Sequence, residues 1–251
     1  MKMRKNKAFT LAETLVVMGI IGVVAALTIP KLSASTGNKE NVARVQKAYS
    51  TINEAYDRVQ AEYGNIKRWP ARDFDWNSNN ATDLIGNRLA EYLKVTKNCG
   101  RNTNQGCMPS TLRFLNGTAY STGGNGYPLN DGSSSAYKML LADGSSFGLQ
   151  VASGVIYMYV DIDGPRKGTA TLGKDLFDFY LGSSGHSNPL RLTTDYDGRL
   201  INSSDLSNNF TSGLGLGTWI LQTGNMDYLK ATSGKCKNNN KTLSWTNTSC
   251  N

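Results

Sequence analysis

From Phe9 to Ile29 the chain is predominantly apolar, a 21-residue run in which Glu13 is the only charge. Lys2, Arg4, Lys5 and Lys7 precede it and Pro30 follows it. About 20 such residues suffice for a helix to cross a bilayer. The run therefore predicts one transmembrane helix, with its basic flank held on the cytoplasmic side. A carboxylate near the start of a helix in lipid is costly, which makes Glu13 a candidate for a functional role.

Beyond a polar stretch from Ser33 to Lys39, apolar residues return at spacings of three and four. Val42, Val45, Tyr49, Ile52, Tyr56, Val59 and Tyr63 form one stripe, while Arg44, Lys47, Glu54 and Asp57 fall off it. This is the pattern of an amphipathic helix. Gly64, followed by Trp69-Pro70, predicts its end. A helix over 9–63 would be about 80 Å long. Pro30 and Gly37 are its expected weak points, through a lost backbone bond and conformational freedom respectively.

The rest of the chain reads as a globular head. Leu84, Ile85, Leu89, Tyr92 and Leu93 predict a short helix over 83–95, capped by Thr82 or Asp83. A Gly/Asn/Ser-rich loop follows over 118–135. Strands are predicted over 137–142, 146–152, 155–161 and 176–181, with a hairpin turn at Asp143-Gly144. Further strands are expected over 191–195 and 199–201 about Asp197-Gly198, and over 218–222 and 226–229 about Gly224-Asn225. The expectation is an α+β chain, a long N-terminal helix laid on an antiparallel sheet.

Charge and cysteines refine this picture. The formal net charge is +8 over 251 residues. Four of the positives lie ahead of Phe9, so the remainder is near +4 (8 − 4, ignoring chain ends), and the overall balance gives no argument for nucleic acid. Cys99, Cys107, Cys236 and Cys250 on an exported head predict two disulfides. Three pairings are open; the local one closes two short loops. Spacings of eight and fourteen do not fit the paired knuckles of a four-thiolate zinc site.

Candidate chemistry is sparse. Asp161-Ile162-Asp163-Gly164, with Asp175 downstream, offers carboxylates of the kind calcium takes. It lacks the third loop oxygen and the closing glutamate of the EF-hand spacing, and the alternative is a strand end whose aspartates face water. His186 is the only histidine and sits in a polar turn. No nucleophile elbow, zinc-protease helix or phosphate loop is present. Trp69, Trp76, Trp219 and Trp245 could stack on sugars or bases, or serve as core. Sequons such as those at Asn116 and Asn209 are expected by chance in so Asn- and Thr-rich a chain. The chain is not expected to be an enzyme.

The basic leader, the small residue Ala8 and the sequence Phe9-Thr10-Leu11-Ala12-Glu13 resemble the signal of type IV pilins and type II secretion pseudopilins. Pro30 also falls at a family position; Ala8 departs from the family's usual glycine. The segments LLADGSSFGLQV, YVDIDGPRKGTATLGKDLFDFYL and GNMDYL resemble heads of pilin-like proteins of type II secretion systems. The resemblance implies a leader over 1–8, a transmembrane and filament-core helix over 9–29, its amphipathic continuation over 30–66, and a periplasmic or extracellular head over 67–251. It implies cleavage after Ala8 by a prepilin peptidase, N-methylation of Phe9, and assembly with other subunits through Glu13 and Pro30 under a membrane platform. It also implies a disulfide stapling the C-terminal tail, and heads of this kind can hold calcium in a loop. The location would be the bacterial cytoplasmic membrane, then a filament. The rivals are a minor tip pilin acting as an adhesin or DNA-uptake module, and a plain membrane-anchored domain.

Overall fold

The computed structural model describes residues 11–64, 79–120, 130–152, 155–182 and 206–250, with backbone alone for 27–36 and 181–182. Helix α1 spans Leu11–Tyr63 and runs through Pro30 and Gly37. Gly64 ends it with φ +78°, a left-handed conformation that costs glycine little. Chain contacts divide the molecule into two units, 1–40 and 41–251.

In the larger unit, helix α2 (Asn79–Tyr92) follows, then strand β1 (Val95–Gly100) and the short β2 (Thr111–Arg113). Strands β3 (Tyr137–Leu141), β4 (Ser146–Ala152) and β5 (Val155–Asp161) come next, then β6 (Thr169–Thr171) and β7 (Leu176–Gly182). The main sheet has five strands in the order β1-β3-β4-β5-β7, every pair antiparallel. The turn predicted at Asp143-Gly144 joins β3 to β4. A second, two-stranded sheet pairs β2 with β6 in parallel.

Both faces of the main sheet are buried, which is why β4 and β5 carry no exposed positions. Phe147, Leu149 and Val151, with Ile156, Met158 and Val160 opposite them, form one core with Val45, Ile52 and Val59 of α1. That confirms the apolar stripe as a packing face. Tyr157, Tyr159, Leu176 and Tyr180 form a second core on the other face with Leu112 and Ala170.

Three predictions are corrected. Helix α2 begins at Asn79 and stops at Tyr92, and Val95 belongs to β1. β1 lacks an apolar alternation because it is an edge strand, with mainly polar, exposed residues. The strands expected over 218–222 and 226–229 are instead helix α4 (Leu216–Thr223) and a 3-10 turn, Asp227–Lys230. Leu216, Trp219 and Ile220 stand at the i, i+3, i+4 spacing of one helical face and are buried together. Gly224, read as a hairpin turn, is a left-handed helix cap whose amide bonds the Ile220 carbonyl. Before α4 lies α3 (Leu206–Ser212), and after the 3-10 turn come β8 (Ala231–Thr232) and β9 (Lys235–Cys236), an antiparallel pair. The strands predicted over 191–201, His186, Trp69 and Trp76 lie outside the described residues.

Candidate functional site

The first candidate is the start of α1. Glu13 lies in its first turn; Ala8 and Phe9 fall outside the described residues, and so does the Pro30 side chain. From Leu11 at 81% to Val17 at 51%, the large apolar side chains of this segment are exposed. Met18, Ile20, Ile21, Val23 and Val24 are exposed as well. A run of bare aliphatic side chains is a surface built to be covered. Among the described residues, no helix is long and apolar enough to cross a membrane.

The second candidate is the end of β5. Asp161 is 1% exposed, and its Oδ2 has no hydrogen-bond partner. Ser146, its partner across the β4–β5 ladder, is fully buried and its Oγ is equally unpartnered. The Asp163 amide donates to Asp161 Oδ1 at 3.3 Å. Burial, with the Asp163 and Asp175 carboxyl groups beside it, pushes the Asp161 pKa up to about 9. Asp163 is paired with Lys167. Asp175 accepts the Thr171 amide at 2.5 Å, and burial raises its pKa too. Among the described residues, no group of three Asp, Glu, His or Cys side chains is arranged to hold a metal. Sequence reading singled out the three aspartates as calcium candidates. It had no signal for Ser146, whose position beside Asp161 follows from strand register alone.

The third comprises the two disulfides, which join Cys99 to Cys107 and Cys236 to Cys250. Asp131 organises the first loop by accepting the amides of Gly106 at 2.7 Å, Cys107 at 3.2 Å and Met108 at 3.4 Å. Lys138, fully buried, donates to the carbonyls of Asp131 and Ser133, and its pKa is lowered by burial. A lysine inside an apolar strand was the available sign of this knot. At the second loop, Asp227 accepts from Ser249 Oγ at 2.8 Å and the Cys250 amide at 3.0 Å. Trp219 is buried and its ring lies 5.2 Å from that of the half-buried Trp245.

Two families match the chain. Residues 3–29 match the prokaryotic N-terminal methylation motif, the signal of type IV pilins and pseudopilins. Residues 31–190 match a family of unknown function, DUF6613. No curated protein and no solved structure matches. The second match covers 160 of 251 residues (190 − 31 + 1), so the chain belongs to the family DUF6613, and it enters that family behind a prepilin-type methylation signal.

Proposed function

We propose that this chain is a structural subunit of a type IV pilus-like or type II secretion pseudopilus filament, processed after Ala8 and assembled through its N-terminal helix. The methylation motif at 3–29 carries the reading, since it implies peptidase processing and a structural, non-enzymatic role. The exposed aliphatic surface of 11–24 supports it, because neighbouring helices in a filament would cover that surface. Moving this helix from lipid to a filament core exchanges one apolar setting for another, so hydrophobic transfer does not oppose extraction. On this reading 9–29 is the transmembrane and filament-core helix, 30–66 its amphipathic continuation and 67–251 a head displayed on the periplasmic or outer side.

Cleavage would free the α-amine of Phe9. In a low-dielectric filament core, Glu13 would pair with the Phe9 amine of a neighbouring subunit, and a misregistered subunit would leave a charge buried alone. The pair would set register more than add stability. Glu13→Ala is the test: membrane insertion should persist while filament yield collapses. Normal filament yield from the variant contradicts the role.

Calcium at Asp161, Asp163 and Asp175 would have to draw these side chains together on binding, since no three such groups among the described residues are already arranged to hold a metal. The unpartnered, buried Asp161 Oδ2 supports it, because a buried carboxyl oxygen without a partner calls for a proton or a cation. Asp163 would have to give up Lys167. The check is thermal unfolding with calcium against a chelator: a higher midpoint in calcium, abolished by Asp161→Asn, is expected, and identical midpoints would rule the ion out.

A further inference from the structure

The turn that follows β2, closed by the bridge from Arg113 to Ala119, carries the one Asn-Gly step among the described residues, Asn116-Gly117. A second such step, Asn125-Gly126, lies outside them. Asn116 and Gly117 are both exposed. Gly117 has φ +87°, and a Cβ built there would meet nothing within 4 Å. With no side chain on Gly117, nothing shields its amide nitrogen from the side chain of the residue before it.

The Asn116 side chain is folded toward that nitrogen. Its Oδ1 accepts the Thr118 amide at 3.0 Å and the Thr118 hydroxyl at 2.7 Å. This is an Asx turn, which curls the side chain over the Gly117 peptide. Holding two reacting groups together removes much of the entropic cost of their meeting. The two donors also polarise the Asn116 Cγ, and they would stabilise the charge its oxygen gains when Cγ is attacked. Other asparagines are placed differently. Asn209 and Asn247 give their side-chain amides to the Leu214 and Thr242 carbonyls, and they precede Phe210 and Thr248, whose side chains crowd the nitrogen. One contact opposes reaction at Asn116. The Gly117 amide donates to the Phe114 carbonyl at 2.9 Å, so attack waits for that bond to open and product accumulates slowly.

We propose that Asn116 is a self-modification site, converted to isoaspartate and aspartate through a cyclic imide closed by the Gly117 nitrogen, with the Thr118 hydroxyl assisting. The Gly117 nitrogen bonds to Asn116 Cγ as the bond from Cγ to Nδ2 breaks. Nδ2 leaves as ammonia, taking the Gly117 amide proton with it. Water then adds across either carbon–nitrogen bond of the imide, giving aspartate or isoaspartate, and no oxidant or reductant is needed. Either product adds a negative charge beside Arg113, whose Nη1 donates to the Gly117 carbonyl at 3.0 Å. Isoaspartate also lengthens the backbone at the point where the turn is tied to α3. There the Leu115 amide bonds the Ser212 carbonyl at 2.9 Å and the Asn116 amide bonds that of Thr211 at 3.0 Å. The modification would therefore loosen the turn from α3 as the protein ages.

The test is a time course on the detergent-solubilised full chain in warm, mildly alkaline buffer. Tandem mass spectrometry with fragmentation that separates Asn116 from Asn125 reads the conversion. The amide-to-acid mass gain should appear at Asn116, divided between isoaspartate and aspartate. Thr118→Val removes the hydroxyl donor and keeps the backbone one. It should slow conversion about tenfold in the folded chain and leave the rate in the urea-unfolded chain unchanged. Thr118→Ser, which keeps a hydroxyl, should retain the wild-type rate. The proposal is overturned by an intact Asn116 throughout, by a wild-type rate in folded Thr118→Val, or by equal slowing of that variant folded and unfolded. Aspartate formed without isoaspartate would mean direct hydrolysis and overturns it as well. None of these results bears on filament assembly, which is read at Glu13.

Discussion

The Lys47 ammonium lies 2.8 Å from the Asp143 carboxylate, across 96 residues of sequence. One residue belongs to α1, the other to the turn between β3 and β4. Arg44, one helical turn earlier, reaches the Ile162 carbonyl at 3.0 Å. These contacts fasten the polar flank of α1 to the sheet ends, while its apolar stripe enters the core.

The Asp143 pair makes a pH dependence predictable. Partial burial alone would raise the Asp143 pKa, but hydrogen bonds from Lys47 and Ser145 outweigh it and hold the group at about 2. A carboxyl group whose folded pKa is depressed adds stability above its unfolded pKa. That stability is lost as pH falls from there through the folded value. Both side chains are largely exposed, so the pair is worth at most about 1 kcal/mol. Asp143→Asn should therefore lower the thermal midpoint slightly at about pH 7, with the gap to wild type shrinking as pH falls through about 4 toward about 2. An equal gap across that range would contradict this.

Gly164 is the second test. It has φ +78°, and a Cβ there would lie 2.1 Å from the Gly144 carbonyl oxygen. The clash is with backbone, so no side-chain rotation relieves it. Gly164→Ala should destabilise the head by more than about 1 kcal/mol, from left-handed strain together with that overlap. Chemical denaturation of the variant measures it, and a midpoint equal to wild type would show that the two turns are not in contact.

The Cys236–Cys250 bond closes a 14-residue separation that contains most of the C-terminal lobe. Loop-closure entropy gives a bond of this span about 3 kcal/mol. Cys236→Ser/Cys250→Ser should lower unfolding stability by about that amount. Because Asp227 still accepts the Cys250 amide and Ser249 hydroxyl, the rest of the head should keep its near-ultraviolet circular dichroism at low temperature. A variant as stable as wild type would mean that the bond does not form in the purified protein.

Much of this architecture was legible because one physical rule dominated locally. The 3.6-residue spacing from Val42 to Val59 marked the packed face of α1. Asp143-Gly144 and three apolar runs marked β3, β4 and β5. The same rules misplaced α4, where Gly224-Asn225 has the composition of a hairpin turn but works as a helix cap. Edge strand β1 was invisible because Thr96, Lys97 and Asn98 at its centre are polar and exposed. At the candidate sites, Asp161, Asp163 and Asp175 stood out by composition. Ser146 did not, since only strand register sets it opposite Asp161.

The central claim is passage through prepilin processing, and the N-terminus of the membrane-extracted protein tests it most directly. Intact-mass and N-terminal peptide spectrometry should find a chain beginning at Phe9 with one added methyl group on its α-amine. A chain that still begins at Met1 would contradict the account and leave a membrane-anchored domain in place of a filament subunit.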